Sequence, residues 1–170
     1  MNDFLTVIRD FHAGKISQQI VSEEIHARST SISFKSIITC FEKMFPDALF
    51  KWHQNYVSLS DLAPTEIHLE HEKYSLVEEL FNSRDSFYDI NQNYFTEHPM
   101  SALWIGGSDY AILDGHHRIR RFYELTDGKE EISLIAVVTR HAELRSNYKA
   151  QISNIIEIVG SKHIKDLPIK

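Results

Sequence analysis

Residues 110–118, Tyr-Ala-Ile-Leu-Asp-Gly-His-His-Arg, join a run of strand-forming residues to the start of a polar helix. The apolar run predicts a strand over 110–113, and the following pattern predicts a helix over about 116–125 that ends at Asp-Gly. Gly115 stands between the two elements and has no side chain, so the backbone can turn sharply there and approach a ligand closely. We expect the working site of the protein at this strand–turn–helix junction.

The sequence on both sides of the junction predicts an α/β (α+β) protein with a small mixed sheet and flanking helices. Residues rich in β-branched side chains predict a strand at 132–138, and two glycines predict a hairpin turn after a strand at 102–105. Alternating apolar and polar residues add a short strand near Val57. Helical spacing of apolar residues predicts further helices at 4–11, 16–25, 34–45, 76–81 and 144–159.

Composition narrows the class of protein. The hydrophobic fraction of 42% supplies a core, and no stretch approaches the roughly 18 apolar residues of a membrane span. A single cysteine, Cys40, and an N-terminus without a basic leader and apolar core favour a cytoplasmic protein that does not engage membranes. The formal net charge of -6 weighs against nucleic acid as the main partner, since such binders usually carry a basic excess.

The residues of the junction have the chemistry of a phosphate-binding turn. The first amides of a helix and the positive end of its dipole attract an anion, and the fork of donors on Arg118 suits phosphate oxygens. His116 and His117 are positioned to donate to a phosphate or to move a proton, and Asp114 to hold a histidine or arginine. An Asp-Gly pair before a helix is also a common turn and cap, and the residues alone leave both interpretations open.

The segment from Tyr110 to Phe122 resembles the signature of the ParB/sulfiredoxin superfamily. The resemblance extends over residues 55–140, because Val57-Ser-Leu-Ser-Asp-Leu-Ala-Pro-Thr-Glu resembles the family's opening strand and turn, and 132–138 its closing strand. It implies a ParB/sulfiredoxin-like domain at 55–140, preceded by a helical extension at 1–54. Residues 141–170 then form a C-terminal amphipathic helix that packs on the core.

Departures from two branches of the superfamily argue against their activities. Sulfiredoxins carry a cysteine between the glycine and the histidine, where this chain has His116, and Cys40 lies far away in the sequence. Chromosome-segregation ParB proteins carry a Gly-Glu-Arg-Arg version of the motif. We therefore expect neither sulfinic-acid repair nor a segregation-type DNA clamp.

The Asp-Gly-His-His-Arg form is most similar to the branch that includes ParB-like free-serine kinases. That similarity implies that residues 114–118 bind ATP or another nucleotide with Mg²⁺, that Glu66 is the general base, and that His117 assists catalysis. The protein would then be a phosphotransferase acting on a small hydroxyl-bearing substrate, or a nucleotide hydrolase. The alternative is a nucleic-acid-binding ParB-like protein, a plasmid- or phage-associated nuclease or regulator.

Two other clusters have a functional and a structural interpretation. His68 and His71 have a spacing seen in metal sites, but no second cluster completes one, so we predict no protein-borne metal site. Arg120 and Arg121 form the densest basic patch with Arg118. We favour salt bridges to neighbours such as Glu124 over contacts to nucleic-acid phosphates.

Overall fold

The computed structural model describes residues 34–170, and the side chains of 34–36 and Cys40 lie outside that description. Helices in this part of the chain are α1 Phe34–Met44, α2 His71–Asn82, α3 Phe87–Asp89, α4 Phe95–Glu97, α5 His116–Thr126 and α6 Ala142–Val159. Strands are β1 Phe50–Ser58, β2 Leu62–Ala63, β3 Ser101–Gly106, β4 Asp109–Asp114 and β5 Glu131–Thr139. Turns of 3₁₀-helix occur at Leu59–Asp61 and Ile164–Asp166, and a π-helical turn at Ile90–Tyr94 joins α3 to α4.

The strands form one five-stranded mixed sheet with the order β1-β5-β3-β4-β2. β1 pairs antiparallel with β5, β5 parallel with β3, β3 antiparallel with β4, and β4 parallel with β2. Helices pack against this sheet, which confirms the predicted α/β class.

Each face of the sheet has its own apolar core. Alternate residues of β3, β4 and β5 point to opposite faces, as the twofold side-chain period of a strand requires. On one face Ala102, Ile112 and Leu134 meet residues of α2, α4 and α5. On the other face Leu103 and Val137 meet residues of α1 and α6. The face with α2 and α5 is the one that positions the predicted site.

The structure changes the predicted start of the sheet. β1 begins at Phe50, so residues 50–54 belong to the sheet rather than to the helical extension predicted at 1–54. Residues 51–54 are exposed at the edge of the sheet and do not alternate between apolar and polar side chains. The sequence pattern therefore does not predict this part of β1. The helix predicted at 34–45 is present as α1, whereas those predicted at 4–11 and 16–25 lie outside the described residues.

Three further elements differ from the sequence prediction. β2 is too short to show a periodicity, and it pairs with β4 through only Leu62 and Ala63. Residues 87–97, for which the sequence predicts no regular element, form α3, the π turn and α4. The chain beyond α6 adds a 3₁₀ turn and a parallel bridge between Leu69 and Ile169. Between residues 34 and 170, no helix has both the length and the apolar character needed to cross a membrane.

Candidate functional site

The bend between β4 and α5 is a tightly packed turn. Gly115 adopts φ 114° and ψ 20°, a left-handed conformation that L-residues with a side chain rarely adopt. A Cβ atom added there would lie 2.6 Å from Cγ of Met100, whose side chain is fully buried. Glycine is therefore required at position 115 for its conformation and for space.

His116 links the bend to the segment that follows β2. Its ring is buried, and the backbone N–H of Thr65 donates to Nε2 at 2.9 Å. Because a backbone N–H is only a donor, Nε2 accepts and the ring is the neutral tautomer with its proton on Nδ1. Nδ1 lies 3.6 Å from Oε1 of Glu66, a dipolar contact beyond hydrogen-bond length rather than an ion pair.

Glu66 is the second predicted site residue that the structure places at the bend. Its side chain is buried, at 7% exposure, in a segment without regular secondary structure. Thr65 fixes the start of this segment, since its hydroxyl donates to the carbonyl of Ile112 on β4 at 2.7 Å. The structure thus brings Glu66 and His116 together, as the family resemblance implies.

His117 is also engaged with the backbone of the same segment. The N–H of Glu70 donates to its Nε2 at 3.0 Å, and the ring is buried. The same donor argument assigns the neutral tautomer with the proton on Nδ1. In this arrangement Nε2 of His117 is not available to a ligand, and any proton transfer by His117 has to use Nδ1.

Two acceptors beside the bend hold the side chain of Arg118 in place. Its guanidinium donates to Oδ2 of Asp114 at 3.2 Å and to the carbonyl of His98 at 2.8 Å. Both side chains of the Arg118–Asp114 pair are partly exposed, at 18% and 22%. The guanidinium is therefore engaged by two acceptors, and a charged ligand would have to replace the Asp114 contact.

The other two arginines of α5 turn toward the protein. Nε of Arg120 donates to Glu124 at 3.0 Å, and NH1 of Arg121 lies 3.5 Å from Glu78 and 3.9 Å from Glu124. The hydroxyl of Tyr74 also donates to Glu124, at 2.8 Å. Burial, followed by this hydrogen bond, raises the pKa of Tyr74 above its ordinary value. The salt bridges favoured for Arg120 and Arg121 from the sequence are present.

No group of three or more histidine, cysteine, aspartate or glutamate side chains is placed to hold a metal ion within residues 34–170. A divalent cation at the bend would therefore be held mainly by the phosphates of a bound nucleotide, with Asp114 as the carboxylate at hand. Mg²⁺ commonly binds in this way, with one or two carboxylates and the oxygens of a phosphate.

Sequence reasoning missed two polar residues at the site. The sequence predicts no role for Thr65. In the structure its amide donates to His116 and its hydroxyl donates to a carbonyl of β4. Ser101 lies opposite Asp114 in the sheet, and its buried Oγ has no hydrogen-bond partner among the described residues. Ser101 directly precedes the strand predicted at 102–105, and nothing else in the sequence indicates a place beside the motif.

Comparison of the chain with protein-family models, with curated proteins and with solved structures finds no match.

Proposed function

We propose that the chain is a ParB/sulfiredoxin-like nucleotide-binding protein that transfers a phosphoryl group to a small hydroxyl-bearing acceptor. The observation that carries this proposal is the contact between Glu66 and His116, which joins the carboxylate after the first strands to the glycine bend. A bound nucleotide would supply the phosphoryl group. A cytoplasmic location remains part of the proposal.

The phosphate side of the proposed site is the start of α5. The first-turn N–H groups of an α-helix have no acceptor within the helix, and the dipole favours negative charge at that end. Gly115 precedes these amides at the bend, and Arg118 would exchange Asp114 for a phosphate oxygen.

The acceptor side of the proposed site is Glu66. As general base it would take the proton of the acceptor hydroxyl while that oxygen bonds to phosphorus and the bond to the leaving nucleotide oxygen breaks. His116 lies 3.6 Å from Glu66, and its neutral ring adds no positive charge beside the carboxylate. His117 accepts a hydrogen bond from the amide of Glu70, and we assign it the role of holding the segment between Glu66 and Glu70.

The nucleic-acid alternative gains no comparable support from the described residues. Its best candidates, Arg120 and Arg121, have side chains only 15% and 17% exposed and face acidic partners. Residues that bind a phosphate backbone need to present their charge to solvent.

The binding test is a thermal-shift panel of nucleoside di- and triphosphates with Mg²⁺. A nucleotide at about 100 times its dissociation constant stabilises the folded state by about 2.7 kcal/mol. We expect Arg118→Ala to lose most of this stabilisation, because the guanidinium of Arg118 is the charged donor of the site. The matched control is Arg145→Ala, which removes an arginine stacked on Trp104 away from the bend and should keep the stabilisation.

The catalytic test is Glu66→Gln, which keeps the size of the side chain and removes its basicity. We expect nucleotide binding to persist and turnover of any nucleotide found in the panel to fall by about 10²–10⁴-fold. Full turnover in the variant would refute the role of Glu66, and an absence of stabilisation by every nucleotide would refute the binding site itself.

A further inference from the structure

Residues 64–70, the connecting segment between β2 and α2, are irregular in structure, and four of the seven are buried. Thr65 and Leu69 are 2% and 0% exposed, and the segment carries Glu66. Buried backbone groups outside helices and sheets need other partners, since an unpaired amide or carbonyl is costly. The two histidines of α5 supply part of this requirement at Thr65 and Glu70.

Residues 164–170, the C-terminal segment, supply the other part. The N–H of Leu69 donates to the carbonyl of Pro168 at 2.8 Å, and the N–H of His71 donates to that of Lys170 at 2.9 Å. In return, the N–H of Lys170 donates to the carbonyl of Leu69 at 2.9 Å. The C-terminal segment therefore pairs with the last residues of the connecting segment like a short parallel strand.

Arg120 holds the C-terminal segment in place. Its NH1 donates to the carbonyls of Ile164 at 3.1 Å and Leu167 at 2.6 Å, and Nε donates to Glu124. Ile164 and Leu167 are themselves buried, at 1% and 2% exposure. Arg120 is four residues after His116 and three after His117, which places all three on neighbouring positions of one helix surface.

We propose that Arg120 is a positioning residue, which acts through the C-terminal segment to hold the connecting segment, and with it Glu66, against His117 of α5. Arg120 binds the carbonyls of residues 164 and 167. The C-terminal segment in turn pairs with the backbone of 69–71, and the amide of Glu70 in that stretch donates to His117. Arg120 touches no atom of the proposed reaction. The functional meaning of this positioning rests on the proposed function, but the contacts stand without it.

The competing explanation is that Arg120 only adds to the stability of the whole fold. The two explanations differ in where a substitution acts. Loss of a positioning residue should open the connecting segment by local fluctuation, whereas a global loss of stability should affect all slowly exchanging amides together. Arg121→Ala is the matched control, since Arg121 lies on the same helix and contacts Glu78 and Glu124.

The experiment is amide hydrogen exchange on the full chain without nucleotide, under native conditions. Arg120→Ala should make the amides of Thr65, Leu69, Glu70 and His71 exchange about tenfold faster or more, because two buried carbonyls lose their donor. Arg120→Lys should restore part of the protection, since an ammonium can donate to the same carbonyls but has no second nitrogen to donate to Glu124 as Nε does. Arg121→Ala should leave these four amides close to wild type.

A second variant and a second readout guard against a poorly folded Arg120→Ala protein. Deletion of residues 168–170 removes the pairing with 69–71 and keeps Arg120, and it should raise exchange at the same amides. In both variants the ¹⁵N shift of Nε2 of His117 should move away from the value of a hydrogen-bonded acceptor.

Equal acceleration in Arg120→Ala and Arg121→Ala, or unchanged exchange at 65–71 in the deletion variant, would overturn the assignment. Because these measurements use no nucleotide, they decide the role of Arg120 alone. The nucleotide panel decides the proposed function alone.

Discussion

The two ends of the β3–β4 pair use glycine in different ways. At the hairpin end Gly107 has φ 56°, and a Cβ atom added there would meet no described neighbour within 4 Å. At the opposite end Gly115 has φ 114°, and an added Cβ would lie 2.6 to 2.9 Å from three atoms of Met100. Both positions need a left-handed conformation, but only the second also lacks space.

This difference separates a permissive turn from a rigid bend. The hairpin requires a backbone conformation, and Trp104 donates a hydrogen bond to it from Nε1–H to the carbonyl of Gly107 at 2.9 Å. The bend at 114–118 is fixed by packing on Met100 and by hydrogen bonds that its histidines accept from backbone amides of the connecting segment. A bend held in this way presents the start of α5 in one geometry, as a preorganised binding site requires.

The largest expected effect is that of Gly115→Ala. The added methyl group meets Met100 and the backbone is strained, so we expect a loss of about 3–5 kcal/mol in the free energy of unfolding. Urea denaturation followed by circular dichroism measures this loss. A loss below about 1 kcal/mol would show that the bend tolerates a side chain and is not rigid.

A double-mutant cycle with Met100→Ala sharpens the same comparison. Met100→Ala alone should cost about 2–5 kcal/mol as a buried large-to-small change. In the Gly115→Ala background the same change should cost less, because it removes the overlap. Additive losses would place the strain at Gly115 in the backbone alone.

The second expected effect is that of His116→Ala. This change leaves the buried amide of Thr65 without its acceptor, so we expect a loss of about 1–3 kcal/mol in the free energy of unfolding. His116→Gln should recover part of the loss, since its side-chain oxygen can accept near the position of Nε2. Equal stability of His116→Ala and wild type would mean that His116 does not hold the connecting segment.

The smallest expected effect is that of Gly107→Ala. Only the left-handed conformation is penalised, so we expect a loss of about 1 kcal/mol. The same urea titration measures it beside Gly115→Ala. If Gly107→Ala destabilised the protein as much as Gly115→Ala, the distinction between the two ends of β3–β4 would fail.

Local features of the fold were predictable from the sequence, and contacts distant in sequence were not. The bounds of α5 and β5 follow from Gly115, from the Asp-Gly stop and from β-branched residues, all of which act on nearby backbone. β1 was predicted too short, because an edge strand with exposed Lys51 and His53 lacks the apolar alternation of a half-buried strand. The bridge between Leu69 and Ile169 depends on the tertiary fold and leaves no periodic signal.

The candidate site was predictable to a similar extent. The resemblance to a family placed Glu66 and the Asp-Gly-His-His-Arg motif in one site, and the structure brings Glu66 and His116 together. The partners of the two histidine rings were not predictable, because they are backbone amides whose positions depend on how β2 and α2 are connected. The same holds for the carbonyls that Arg120 binds.

The most direct test of nucleotide binding at the bend is a titration of the ¹⁵N-labelled protein with the nucleotide and Mg²⁺, followed by amide NMR. We expect the largest chemical-shift changes at the amides of residues 115–118 and smaller changes at the amide of Glu66. Shifts concentrated elsewhere on the chain, or none at saturating nucleotide, would contradict nucleotide binding at the bend.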